Sequence, residues 1–382
     1  MSSIVENLIS SLPQVSDDYA TNIRLPTQKL SELGNELRAK GDVFLPFKEW
    51  HALEGKSLVA IDGGRASQQL AGGDLVVVGA TLGDGAKSVP MYGENVISEA
   101  YATVVAHTSK VESEFAGRMM STLELRVLSL AKTNYTIIDG AYLGNVSEVL
   151  FGLASDNKPL IDTILDYNKD GRIEDAMQKI LYPKRDNSSG ILAVSKSDSS
   201  FVYSKQLLGE HSELASLVSD RNLASYFLQP GEFLVPRNLQ SNPALIKTLN
   251  MKSKDLSDEV KKVVTGKSGL LTRMGTETTE EGILWTTYFK PTRWTALDRA
   301  IKIEFVFYPS AHGKTVNEHA AELVEVVNDD ILNNSILEPW SQYLADRRAK
   351  EVGLGIDIVK NHLLNNVESS AEAQGLIRGY RT

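Results

Sequence analysis

Two apolar runs in this chain end in the same pair of residues. LVAI leads into Asp62-Gly63-Gly64, and YTII leads into Asp139-Gly140. A short unbroken apolar run closed by glycine reads as a buried strand, so each aspartate is expected at a strand's carboxyl end. In a sheet with parallel strands those ends gather at one edge, where ligands bind. Two carboxylates a few Å apart raise each other's pKa unless a cation joins them. Hard divalent ions with oxygen ligands are the natural partners, and manganese or magnesium fit best. Asp-Gly also favours turns for purely local reasons, but its repetition at two equivalent strand ends favours a shared ion. A third acid should come from the helix between them, which offers Glu112, Glu114 and Glu124. Glu112 and Glu114 suit an acidic first turn facing the helix dipole. Glu124 sits between Leu123 and Leu125, beside an apolar stripe, where a charge is costly without a partner.

Other motifs carry less. DYNKDGRIEDAM (166–177) places Asp166, Asn168, Asp170 and Gly171 as a calcium loop would, but its twelfth position is Met177 instead of a bidentate Glu. A polar turn between helices explains it. Gly266-Lys267-Ser268 lacks the glycine five residues earlier that a phosphate loop needs; Lys261 is there. The six histidines show no HxH or HExxH spacing, and His312 reads as a solvated loop residue.

The elements that must position the acids follow from periodicity. Residues 1–50 read as helical and polar, punctuated by Pro13, Pro26 and Pro46. Strands are expected at 58–61, 75–80 and 98–107, a helix at 111–131, and a strand at 135–138. Residues 146–182 read as mainly helical, ILAVSKS (191–197) as a strand ending at Lys196, and 209–228 as helical. Residues 240–282 are polar and weakly patterned. ILWTTYFK (283–290) and IKIEFVFY (301–308) read as a strand pair, the second alternating apolar with polar positions. Helices close the chain at 315–332 and 339–366, with Gly353 and Gly355 as candidate interruptions. In the late helix, Trp340, Tyr343 and Leu344 form the expected buried stripe, with Asp346 at its margin. Strands alternating with helices mean an α/β domain with a mixed sheet. No composition shift marks a second domain.

The 382 residues include no cysteine, so disulfides, thiolate metal sites and cysteine nucleophiles are excluded. No apolar run approaches the length that spans a bilayer, and the start MSSIVENLIS lacks a basic n-region. A cytoplasmic protein is expected. The net charge of −9 rules out a long-range basic field, so any nucleic-acid contact must use local patches. Residues 247–273 hold seven Lys or Arg against three acids, and Arg347, Arg348 and Lys350 cluster beside Asp346.

A strand acid, a hairpin, a helix acid and a second strand acid, in that order, resemble the ribonuclease-H-like arrangement, in which carboxylates hold two metal ions for phosphodiester hydrolysis. More specifically, AIDGGR with AGGDLVVVGA, TLELR before TIIDGAYLG, ILAVSKS and the late EPWSQYLADRRAK resemble the NurA nuclease family over most of residues 55–350. The resemblance implies a manganese- or magnesium-dependent DNA nuclease that works as a homodimer with a HerA-like hexameric translocase in DNA end processing and double-strand break repair. It implies Asp62, Glu124 and Asp139 as metal ligands and Lys196 near the scissile phosphate. It puts Asp346, where archaeal members usually carry His, in the place of a fourth ligand. Tyr288 and Tyr343 compete for the tyrosine associated with the family. The domain expectation is a helical arm (1–54), a nuclease domain (55–350, with an insertion at about 206–282) and a C-terminal helix and tail (351–382). Two other functions compete with this one. An actin-like or sugar-kinase-type ATPase needs a second glycine-rich loop late in the chain, which is not there. A non-catalytic adaptor docking on the translocase ring would not need all three acids.

Overall fold

The structure is a computed structural model that describes residues 4–19, 25–48, 52–70, 72–92, 96–106, 109–182, 190–195, 200–209, 218–238, 243–252, 257–274, 283–295, 298–308, 313–333 and 335–366. In chain order its elements begin with α1 (Ile4–Tyr19), α2 (Leu25–Lys40), β1 (Phe44–Pro46), β2 (Leu58–Leu70), β3 (Gly73–Asp84), β4 (Ser98–Val105), α3 (Ser109–Leu130), β5 (Tyr135–Asp139), α4 (Gly144–Leu153), α5 (Lys158–Tyr167), α6 (Arg172–Leu181) and β6 (Gly190–Ser195). They continue with α7 (Val202–Leu207), α8 (Asp220–Phe227), β7 (Glu232–Leu234), β8 (Arg237–Asn238), α9 (Pro243–Lys252), α10 (Asp258–Met274), β9 (Ile283–Lys290), β10 (Ile301–Phe307), α11 (Val316–Asp329), α12 (Trp340–Ala349) and α13 (Val352–Asn366). No helix among the described residues is long and apolar enough to cross a membrane.

The chain divides into two compact units. The smaller takes residues 1–48, 197–237 and 287–302. Within it β1 and β7 pair antiparallel, as do β7 and β9, around an apolar cluster that includes Leu30, Tyr203, Phe227 and Tyr288. The larger unit takes 49–196, 238–286 and 303–382. Its strand order is β10-β6-β5-β2-β3-β4. β5 runs parallel to both β2 and β6, whereas β2-β3-β4 is an antiparallel meander. The result is a mixed sheet. On one side α3 buries Phe115, Met119, Leu123 and Val127, at helical spacing, into the main core with Val59, Ile61 and Val78.

At four places the structure differs from these expectations or adds to them. β2 does not stop at Asp62-Gly63-Gly64 but continues to Leu70, paired with β3 without a break. The weakly patterned 240–282 contains two helices, α9 and α10. β10 is buried along its whole length, Lys302 and Glu304 with their apolar neighbours. The final helical stretch breaks at Lys350–Glu351, and Gly353 and Gly355 lie inside α13.

The glycines of β2 and β3 explain the first change. A Cβ on Gly64 would stand 2.0 Å from the carbonyl oxygen of Ala349, and one on Gly83 would stand 2.3 Å from that of Ser341. Neither glycine makes a turn; both make room for the backbone of α12. The helix answers with its own small face, since Ser341, Ala345 and Ala349 are its buried residues together with Gln342. The expected stripe of Trp340, Tyr343 and Leu344 is only half-buried. Gly64→Ala and Gly83→Ala are each expected to lower stability by about 1–3 kcal/mol, because the blocking atoms are backbone. Gly266→Ala, inside α10 with nothing within 4 Å, should raise it by roughly 0.5–1 kcal/mol. Urea midpoints of the three variants check the contrast.

Candidate functional site

Pairing registers bring the two aspartates side by side. In the parallel β2–β5 ladder the last matched couple is Ile61 with Ile138, and Asp62 and Asp139 come next on their strands. Asp139 in turn lies opposite Val194 of β6. Asp62 is buried, and its Oδ1 accepts the Gly63 N–H at 2.8 Å. β5 does end at its aspartate. Gly140 takes φ +90°, a left-handed turn that glycine allows at no steric cost, and its N–H bonds Val194 O at 3.1 Å. The turn is held behind by Tyr142, fully buried, whose backbone N–H donates to the Glu304 carboxylate at 2.7 Å and whose hydroxyl donates to Ile180 O at 3.0 Å.

Glu124 joins the aspartates from α3. A Cβ on Gly63 would lie 2.2 Å from its Oε1 and 2.5 Å from Met120 Cγ. Gly63 is therefore the gap in β2 that admits this carboxyl group. Burial, and then the negative charge of Asp62, push the Glu124 carboxyl up to about 8; a hydrogen bond from Asn145 opposes this, and Asp139 adds to it. Asn145 itself accepts from Ser121 Oγ at 3.2 Å. Glu112 and Glu114 stay at the start of α3, with Glu114 exposed and 3.5 Å from Arg118.

The late helix reaches the site through a residue the sequence did not single out. The Gln342 side chain is fully buried, and its Nε2 donates to Asp139 Oδ1 and, at 3.2 Å, to Val194 O. Asp330 anchors that helix: Oδ2 accepts the Ser341 N–H and Oδ1 accepts the Ala86 N–H, each at 2.8 Å. Burial pushes Asp330 up to about 6 against the pull of these bonds. Asp346, one turn beyond Gln342, is partly exposed and holds Lys350 Nζ at 2.6 Å. Lys196 lies outside the described residues, as does His312. Tyr288 is buried in the smaller unit against Tyr203 and Ser200. Tyr343 stacks at 5.5 Å on Trp340. In the 166–177 turn, Asp170 bonds Arg126 at 2.9 Å and Asn168 bonds Glu174, so the acids there serve the turn.

The donor chemistry at Asp62, Glu124 and Asp139 is all oxygen, which suits a hard divalent cation. Among the described residues no group of three or more His, Asp or Glu side chains is arranged to hold an ion as it stands. Gln342 and Asn145 escape a pattern search because neither is titratable. The spacing of Ser341, Ala345 and Ala349 was the available sign that this face of the late helix meets glycine.

No family model matches the sequence, and no curated protein matches it. Solved structures do match the fold. The NurA nuclease from Sulfolobus solfataricus aligns over 97% of this chain and 99% of its own, at 15% identity and a TM-score of 0.57. A further NurA crystal structure aligns over 98% of this chain and 100% of its own, at 12% identity and a TM-score of 0.51. The shared architecture is the ribonuclease-H-like mixed sheet flanked by helices.

Glu124 gives a pH prediction. Its folded pKa lies above the ordinary 4.5, so its stabilising contribution is complete below that value and is lost as pH rises through about 8. Metal-free protein should lose on the order of a few kcal/mol between about pH 6 and 9, and Glu124→Gln should remove most of that slope. Urea unfolding across this range in EDTA measures it.

Proposed function

We propose that this chain is a NurA-type deoxyribonuclease that uses a divalent cation, manganese or magnesium, bound by Asp62, Glu124 and Asp139. The observation that carries the proposal is the buried Glu124 carboxyl packed against Gly63 of β2, beside Asp62 and with Asp139 on the next strand, in a fold shared with a NurA nuclease.

A divalent cation, when bound, polarises a phosphate oxygen and lowers the pKa of water. The chain's own groups prepare for it. Asp62 and Asp139 each follow the last matched couple of the β2–β5 ladder on adjacent strands, so the sheet brings them side by side. Glu124, its pKa raised to about 8 by burial and then by the charge of Asp62, would give up its proton if a cation were bound beside it, adding a third anionic carboxylate. Lys196 follows directly on β6, the strand whose Val194 lies opposite Asp139. Its role near the phosphate rests on the family resemblance alone, and a lysine would act on a phosphate as a point charge. The exposed lysines of α10, Lys261 and Lys262, would hold the DNA backbone and make binding salt-dependent.

The same proposal extends to a homodimer acting with a HerA-like hexameric translocase in DNA end processing and double-strand break repair, in the cytoplasm. Supporting self-association, α1 presents Ile4, Val5, Leu8, Ile9, Leu12 and Val15 to solvent, each more than half exposed, at helical spacing. On α13, Leu354 and Ile358 are each 70% exposed.

Asp62→Ala and Asp139→Ala are expected to abolish cleavage of end-labelled DNA in manganese while leaving the protein folded by circular dichroism. Cutting at the wild-type rate by either variant contradicts the site. Light scattering at micromolar concentration should give twice the 41.9 kDa chain mass; the single-chain mass contradicts the dimer.

A further inference from the structure

We infer that the late helix serves the cation site through Gln342, a positioning residue for Asp139, and not through Asp346. The inference rests on the proposed metal-dependent nuclease. Gln342 is fully buried, and the two atoms facing its amide, Asp139 Oδ1 and Val194 O, are both acceptors. Only the NH2 side of the amide can face them, so the orientation of the side chain is fixed by chemistry. One donor group thereby ties Asp139 to the main chain of β6 and holds one carboxylate oxygen in place. Outer hydrogen bonds of this kind orient metal-ligating carboxylates.

The other end of the amide makes the stronger point. Gln342 Oε1 is buried and has no hydrogen-bond partner among the described residues. A buried, unpaired amide oxygen is costly, and a methionine would fill the same space without that cost. Because an amide is short and planar, Oε1 lies beside the Asp139 carboxylate. A neutral oxygen there is what the shell of a hydrated cation can use, through a water that donates to it. The helix is fixed for the task at its first turn by Asp330 and along its small face by Gly64 and Gly83. Asp346 has a different occupation: it is partly exposed and already paired with Lys350.

Calorimetric titration of manganese into the DNA-free, full-length protein, with melting temperatures taken in EDTA and in manganese, tests this. Gln342→Met keeps side-chain length and removes both the N–H and the oxygen. It is expected to weaken manganese affinity by about 10–100-fold and to shrink the metal-induced rise in melting temperature. Its circular-dichroism spectrum in EDTA should match that of wild type, so that the loss of affinity is read from folded protein. Asp346→Asn should leave the affinity within about twofold, as for a surface ion pair. Gln342→Asn, one methylene short, should lose affinity as Gln342→Met does, and it decides the matter if the methionine variant does not fold. Wild-type affinity in the Gln342 variant overturns the inference, as does a large loss in Asp346→Asn beside an intact Gln342 variant. Wild-type protein that takes up no manganese overturns both this inference and the metal-dependent nuclease. Wild-type uptake with unchanged uptake in the Gln342 variants overturns this inference alone.

Discussion

Burial first, and then the charge of Asp62, raise the pKa of the Glu124 carboxyl to about 8, so that at neutral pH it is mostly protonated where it stands. It is buried against the backbone of β2, beside Asp62 and with Asp139 in range, and both aspartates raise its pKa. The protein could have avoided this with any apolar residue in α3. It instead leaves a gap in the strand for the carboxyl group, because only a glycine at position 63 admits it. Such an arrangement weakens the metal-free fold and favours a cation, and the rest of the larger unit can be understood as what holds it in place.

Three strands and two helices share that task. Parallel pairing of β5 with β2 and β6 sets the spacing of Asp62, Asp139 and Val194. Helix α3 brings Glu124 on a stripe of buried apolar residues, so the acid is located by the core and not by a flexible loop. Helix α12 comes close enough to touch Asp139 because both surfaces at its contact are small: glycines on the strands, serine and alanines on the helix. Close approach of this kind costs the sheet two side chains' worth of packing. It is recovered partly through backbone contact and through Asp330, which ties the helix start to the turn after β3.

Much of this was legible in the sequence, and the part that was not has physical causes. The order of strand acid, helix acid and strand acid was readable because apolar runs and helical spacing are local signals. The two Asp-Gly pairs look alike but act differently: Gly140 turns the chain with a positive φ, whereas Gly63 and Gly64 lie in a continuous strand and make room for neighbours. Only tertiary contacts distinguish those uses. The same holds for α12, where bulky residues suggested the buried face and the glycine-lined sheet selected the small one. Gln342 carried no signal, since an uncharged residue in a mixed helix is unremarkable until its partner is known. The smaller unit is assembled from three stretches far apart in sequence, which no reading of composition along the chain can join.

The most direct test of the central claim is an anomalous difference map from crystals of the wild-type protein grown with manganese. The account predicts a peak within coordination distance of Asp62, Glu124 and Asp139, with the three carboxylates drawn together around it. A fully occupied manganese elsewhere in the chain, or none at this site at saturating concentration, would contradict it.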